Sequence, residues 1–333
     1  MQSIPVRAIP HAAMGRLIGG AAALAMLAAA SGAALAQSDK PIKIILPVAT
    51  ASGVDTITRA AQPALSKAFG APVVIENQPG AGGIVGTQAM VKSPPDGTTL
   101  SIVSNNHVIY PSVYKSVPFD PVADITPIAV IGSTPIVIVV NPKVPAKNAQ
   151  ELIALLKSKP DELNYASSGN GTILHLATAM FLDQAGVKAK HIPYKGVGPM
   201  VTDLIGGQVE FGAVALPSVQ QHIKAGTLRA IGVGAPKRLA AAPEIPTMVE
   251  QGMPNYLVEG WFAVVGPAKM SPALVSKINA AVKTAFASPD VVETMAKQGN
   301  TIDISTPEYA AKFFPAELAK YAALVKKAGV EVQ

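Results

Sequence analysis

Ile42-Lys43-Ile44-Ile45-Leu46-Pro47-Val48-Ala49-Thr50-Ala51-Ser52-Gly53-Val54-Asp55 is the stretch on which the fold turns. Four of its first five residues are apolar and three of them are Ile, which predicts a strand. Small residues follow, and then apolar positions at helical spacing over residues 55–69. This is one strand–loop–helix unit, and it recurs. Residues 72–76 predict a strand, 84–91 a helix and 99–103 a third strand. Such alternation implies an α/β protein with a parallel sheet covered by helices.

The same plan returns further along the chain. Strands are predicted at residues 136–140, 163–166, 190–193, 210–214 and 229–233, with helices at 149–157, 172–185, 200–205 and 219–224. A strand at 257–265 precedes three helices, 272–287, 289–298 and 307–328. Each of these opens with Ser or Thr followed by Pro, the expected start signal. The Asn141-Pro142 break and the Pro-rich stretch 242–254 mark two crossings between domains. They make domain 1 discontinuous, from residues 37–140 plus 255–333, and place domain 2 at 141–254. Two α/β lobes so joined are built to hinge about a cleft at the strand ends.

Residues 1–36 read as a secretory signal peptide. Arg7 and Arg16 give a positive start, an Ala- and Leu-rich run spans 17–30, and Ala34-Leu35-Ala36 precedes the expected cleavage before Gln37. Removal of 36 of the 333 residues leaves 297, a length that suits two domains. No later stretch is long and apolar enough for a bilayer, so no membrane insertion is expected after signal removal. The expected location is the periplasm of a Gram-negative bacterium. The two Arg lost with the signal lower the formal charge from +6 to +4. That mild excess suits an anionic ligand through steering. Lys and Arg form no dense cluster and aromatic residues are only 5% of the chain, which argues against nucleic acid. The absence of Cys excludes disulfides, thiolate metal sites and Cys nucleophiles.

Three strand ends carry candidate binding residues. Val48, Ala49, Thr50, Ala51 and Ser52 are small enough for a ligand to approach the backbone. Ser52 and Asp55 have capping-box spacing, and helix-start N–H groups favour carboxylate or phosphate. An ordinary N-cap gives the same spacing without a ligand. Ala166, Ser167, Ser168, Gly169, Asn170 and Thr172 form a second loop with many donors and little bulk, and His175 lies one turn into its helix. Ser104 and Asn105 add neutral donors after the third strand. Pro79-Gly80-Ala81-Gly82-Gly83-Ile84-Val85-Gly86 places Val85 where a dinucleotide fingerprint needs its third Gly. A tight loop that positions a helix is the better account, and no cofactor is expected. There is no G-x-S-x-G or H-E-x-x-H, and the five His lack metal spacing. Trp261, the single Trp, is a core residue by type and a cleft candidate by its place near a crossing.

Several motifs carry a resemblance. Glu76-Asn77-Gln78-Pro79-Gly80-Ala81-Gly82-Gly83, Pro95-Asp96-Gly97-Thr98-Thr99-Leu100 and Leu163-Asn164-Tyr165-Ala166-Ser167-Ser168-Gly169-Asn170-Gly171-Thr172 resemble those of the Bug-type receptors of tripartite tricarboxylate transporters. So do His191-Ile192-Pro193-Tyr194-Lys195-Gly196, Gly206-Gly207-Gln208-Val209 and Lys224-Ala225-Gly226-Thr227-Leu228-Arg229-Ala230. The resemblance runs from about residue 40 to the end. It implies a type II periplasmic-binding-protein fold that closes like a flytrap, and no catalysis. It also implies a ligand carboxylate held between the loops at Val48 to Asp55 and Ala166 to Thr172.

Two departures bear on the ligand. The family's first loop usually carries a Gly pair, where this chain has Thr50-Ala51-Ser52-Gly53. Many relatives have a polar pair before Leu-Pro-Ser, where this chain has Ala213-Val214-Ala215. Val214 cannot pair with an ammonium, so a ligand without an amine is expected, with Ala213, Val214 and Tyr194 among its contacts. A dicarboxylate fits, aliphatic or aromatic like terephthalate, and citrate-like tricarboxylates stay open. The expected partners are this small carboxylate and the membrane subunits of a tripartite transporter, with the protein itself a monomer. Two alternatives stay open: a sensory receptor of the same fold, and a hydrolase using Ser168 or Ser52 with His175 or His107.

Overall fold

The computed structural model describes residues 40–330 and 332. The expected signal peptide, residues 1–36, lies outside the described residues. Strand β1 (Ile42–Leu46) leads into α1 (Gly53–Phe69), then β2 (Val73–Asn77), α2 (Ile84–Val91) and β3 (Thr99–Ser104). The α1 helix starts at Ser52, whose Oγ accepts from Asp55 N–H at 3.2 Å, and ends on left-handed Gly70. β1 pairs in parallel with β2 on one side and β3 on the other, as expected for βαβ units.

A second parallel trio is built the same way. It comprises β5 (Asn164–Ser167), α5 (Ile173–Ala185), β6 (Lys190–Pro193), α6 (Val197–Gly206) and β7 (Phe211–Ala215), with β5 between β6 and β7. α4 (Ala149–Ser158) precedes it, and α7 (Leu216–Lys224) and β8 (Arg229–Val233) follow.

The trios are joined by antiparallel strands, so the sheet is mixed rather than parallel throughout. β4 (Ile125–Val140) and β9 (Glu259–Pro267) lie side by side, giving the order β2-β1-β3-β9-β4-β7-β5-β6. β8 and the short β10 (Thr301–Ile302) also pair antiparallel with β4. β4 pairs with β9 up to Pro135, and with β7 and β8 from Ile136. One strand thus serves both halves.

Two apolar clusters make up most of the core. Ile44, Leu46, Ile57 and Phe262 cluster with Phe286 of α8 (Pro272–Phe286) and Met295 of α9 (Pro289–Lys297). Val137, Val139, Leu156, Phe181 and Phe211 belong to a larger core that runs through both halves, with Ile45, Val103 and Val265 among its members. That core extends to Phe314 and Tyr321 of α10 (Pro307–Lys327).

Three elements differ from the sequence reading, one of them the two-residue β10, which was not expected. β4 is 16 residues long, not the five of 136–140. Pro127, Gly132 and Pro135 conceal its first part. Strands normally carry Pro only at edges or bulges, and this one shifts register near Pro127 and again before Gly132. α3 (Asn106–Val113) was not expected, because Pro111 lies inside an eight-residue helix and Pro usually ends one.

Candidate functional site

The strand ends of both trios face a cavity of about 570 Å³. Four helices begin at its wall, with Gly53 and Val54 of α1, Asn106 of α3, Ile173 and Leu174 of α5, and Val197 of α6 among the lining residues. The first N–H groups of a helix lack partners within it and carry the positive end of its dipole. Among the described residues, the lining contains no Asp or Glu, and Lys195 is its one Lys or Arg. Such a wall favours an anionic guest over a cationic one.

The first loop is held from behind. Asp55 Oδ2 accepts from Ala51 N–H at 3.0 Å, and its Oδ1 accepts from Arg59 Nε and from Asn77 Nδ2, each at 2.9 Å. Asn77 Nδ2 also donates to Val48 O at 3.2 Å. Asn77 is a supporting residue that its motif contained and the sequence reading did not assign. Ala51 has φ +64°, a left-handed conformation that costs a residue with a Cβ roughly 1–2 kcal/mol. Its C=O accepts from Ser218 Oγ of α7 at 2.9 Å. Val48, Ala49 and Ser52 line the cavity; Thr50, Ala51 and Asp55 do not.

The second loop is braced by two histidines. His175 Nδ1 accepts from Gly171 N–H at 3.1 Å. Ser167 Oγ donates to Gly169 O and lies 2.6 Å from His191 Nε2, so His191 is the donor there. The rings stack with centroids 3.8 Å apart. Burial lowers His175 to about 3, with neighbouring His191 adding to the effect, and burial lowers His191 to about 4. Both imidazoles are neutral at pH 7. Thr172 Oγ1 donates to Gly169 O at 2.9 Å and caps α5 by accepting from His175 N–H. Ser168, Gly169, Asn170 and Thr172 line the cavity, while Ala166, Ser167 and His175 stand behind it.

The remaining expected residues divide likewise. Ser104, Asn105 and Tyr194 line the cavity. Ala213 and Val214 are fully buried opposite Ile138 and Val137 of β4, and their neighbour Ala215 faces the cavity instead. The absence of an acid from the cavity wall, among the described residues, therefore rests on the whole lining, not on Val214. Sequence reasoning missed Thr134, Ile136 and Tyr114, and it treated Gly80 to Gly83 as mere support although they form cavity wall. Trp261 is both core and wall. It is 6% exposed, its indole N–H donates to Glu317 Oε2 at 2.8 Å, and it lines the cavity. Asn105 Nδ2 donates to Tyr321 Oη at 2.5 Å and its Oδ1 accepts from Trp261 N–H at 2.8 Å. The last helix thereby fixes the floor.

Among the described residues, no His lines the cavity to serve a Ser there as base. His107 is fully buried and its Nε2 bonds Pro121 O at 2.7 Å. The Ser167–His191 pair has a fully buried hydroxyl already given to Gly169 O. Loops of the two halves meet across the opening. Ile173 N–H donates to Asn106 Oδ1 at 2.9 Å and Tyr114 Oη to Asn170 O at 3.3 Å. A Cβ on Gly196, at φ +119°, would stand 2.5 Å from Ala49 Cβ.

Two α/β halves that share a strand and present helix starts to one cavity define a type II periplasmic solute-binding protein. The tripartite tricarboxylate transporter family receptor model (TctC) matches residues 57–330, and the chain belongs to that family. It is 35% identical to Protein BugT of Bordetella pertussis over 88% of this chain and 91% of that one. The solved structure of the periplasmic binding protein BugD has a TM-score of 0.84 at 29% identity, covering 88% of this chain and 99% of that chain. The structure of R. palustris Rpa4515 with adipate has a TM-score of 0.85 at 28% identity, covering 89% and 100%. The chain is accordingly a solute-binding receptor, not an enzyme.

Proposed function

We propose that this receptor captures an unaminated dicarboxylate in the periplasm and delivers it to the membrane subunits of a tripartite transporter. The observation that carries the reading is the cavity wall, where four helix starts converge and no carboxylate stands. Each start contributes roughly 0.3–1 kcal/mol when exposed and up to about 2 kcal/mol when partly buried. Micromolar binding takes about 8 kcal/mol, so four starts with a few hydrogen bonds are of the right order. The Rpa4515 relative, with adipate, supports a dicarboxylate. An ammonium has no acid to meet among the described lining residues, which disfavours amino acids. A volume of about 570 Å³ admits an aliphatic or aromatic dicarboxylate and citrate alike.

In this reading, residues 37–140 with 255–333 and residues 141–254 move as two lobes of a monomer. The hinge lies where β4 changes partners between Pro135 and Ile136 and continues towards the Asn141-Pro142 break. Contacts to both lobes make the ligand favour the closed form, which a membrane partner can sense. Val48, Ala49, Ser52, Ser104, Asn105, Ser168, Gly169, Asn170, Thr172 and Tyr194 are the ligand contacts.

The test is a thermal-shift screen of the mature chain against aliphatic dicarboxylates, citrate, terephthalate, aspartate and glutamate. A bound acid raises the melting temperature by mass action and is recovered unchanged. A preference for aspartate or glutamate would overturn the unaminated ligand. No response to any acid would overturn the carboxylate.

A further inference from the structure

Most polar side chains in the cavity wall are already engaged with the protein itself. Asn105 Nδ2 donates to Tyr321 Oη and Glu259 O, and Asn106 Nδ2 donates to Gly82 O at 3.3 Å. Ser168 Oγ donates to Thr172 Oγ1 at 3.1 Å, which in turn donates to Gly169 O. The aromatic residues of the wall are held in the same way. Tyr114 Oη donates to Asn170 O at 3.3 Å, Tyr194 Oη to Asp203 Oδ2 at 2.8 Å, and Trp261 Nε1 to Glu317 Oε2 at 2.8 Å. What these three residues have left for a guest is ring surface.

The central strands add carbon to the rings. Ile136 of β4 lies opposite Ala215 of β7, and both line the cavity. A Cβ on Gly53, the first residue of α1, would stand 3.1 Å from Ala215 Cβ and 3.7 Å from Thr134 Cγ2, so methyl groups are what this side presents most closely. Among the described residues, the Ser52 and Ser104 hydroxyls and the Asn170 amide line the cavity and donate to no protein group. With the helix starts, they suffice for carboxylate oxygens. They are too few for a guest whose body carries several hydroxyls, because a hydroxyl laid against ring or methyl surface gives up water and gains no partner.

We propose that the guest carries a hydrocarbon body between its acid groups, packed against the rings of Tyr114 and Tyr194, so that the receptor selects unhydroxylated acids over their hydroxylated counterparts. The inference rests on the carboxylate reading given above and narrows it: the volume admits citrate, and the wall disfavours it. The test is calorimetric titration of the mature chain with matched acids that differ only in hydroxyls: succinate and malate, tricarballylate and citrate, adipate and galactarate. The variants are Tyr114→Phe, Tyr114→Gln, Tyr194→Phe and Tyr194→Gln, each checked for folding by its melting temperature.

In every pair that binds, the unhydroxylated acid is expected to be tighter by about tenfold or more, since an apolar pocket rejects one added hydroxyl by up to about a hundredfold. Its heat-capacity change on binding is also the more negative, as apolar burial requires. The Phe variants keep the ratio even where both affinities fall, because the ring stays. The Gln variants lower it by about fivefold or more, because a ring is replaced by an amide. Hydroxylated acids that bind as tightly as their counterparts overturn the inference and leave the carboxylate receptor standing. Phe variants that lose the ratio, or folded Gln variants that keep it, overturn the part given to the rings. A wild type that binds none of the acids overturns the carboxylate reading as well.

Discussion

His175 and His191 lie face to face with planes 7° apart, each holding one side of the second ligand loop. Their pKa values, about 3 and about 4, lie below the ordinary 6.5 because burial penalises the charged ring; fully buried His107, at about 4, is the same case. The unfolded chain therefore binds more protons than the folded one between about pH 6.5 and 3. Stability is at its full value above about 6.5 and falls as the pH drops towards 4. Melting temperature measured from pH 7.5 to 4.5 should decline, and the His175→Asn, His191→Gln double variant should show a shallower decline. An equal slope in that variant would assign the acid sensitivity to other groups. Ala51 makes a second residue-scale prediction. Its φ of +64° suits Gly better than any residue with a Cβ. Ala51→Gly should therefore raise stability by about 0.5–1 kcal/mol in denaturant titration. Loss of stability would show that the Asp55 and Ser218 contacts, rather than the backbone, set the energy there.

At the scale of elements, the helix starts matter most. Thr172 caps α5 and also faces the cavity. Thr172→Ala should cost about 1 kcal/mol of stability and weaken ligand binding as well; Thr172→Ser should restore both. A variant that loses stability but binds as wild type would make Thr172 a cap alone. Such starts are legible in sequence, because Ser52, Thr172, Ser271 and Thr306 announce them with side chains that bond the backbone locally. The parallel trios were legible too, since buried strands and their crossover helices are contiguous in the chain. Of the joining strands, β9 was expected at 257–265, but the first part of β4 and the pairing of the two were not. β4 carries Pro127 and Pro135 in its interior, and its pairing with β9 links residues more than a hundred positions apart, which no local period records. The site divides along the same line. Ser104, Asn105 and the Ser168–Thr172 loop stand at strand ends that periodicity locates. Thr134 and Ile136 reach the cavity only because β4 crosses between the halves.

For the whole molecule, the proposed closure has a readout. Ser218 Oγ bonds Ala51 O from α7 to the first loop, a contact between the two proposed lobes. Ser218→Ala should open that contact and weaken binding of whichever acid proves to be the ligand. The loss of about 0.5–1.5 kcal/mol corresponds to roughly two- to twelvefold in affinity. Trp261, the single Trp in the sequence and part of the cavity wall, reports it: its emission titrates with ligand, and the midpoint moves to higher concentration in the variant. An unmoved midpoint would mean that Ser218 adds nothing to the closed form.

The bond from Asn105 to Tyr321 spans 216 positions, and Trp261 reaches forward to Glu317 in the same helix. The cavity floor is thus finished by a helix made about two hundred residues after Asn105. A growing chain holds both ligand loops long before it holds the helix that fixes Asn105 and Trp261. A chain cut before that helix would leave Asn105 and Trp261 without these partners.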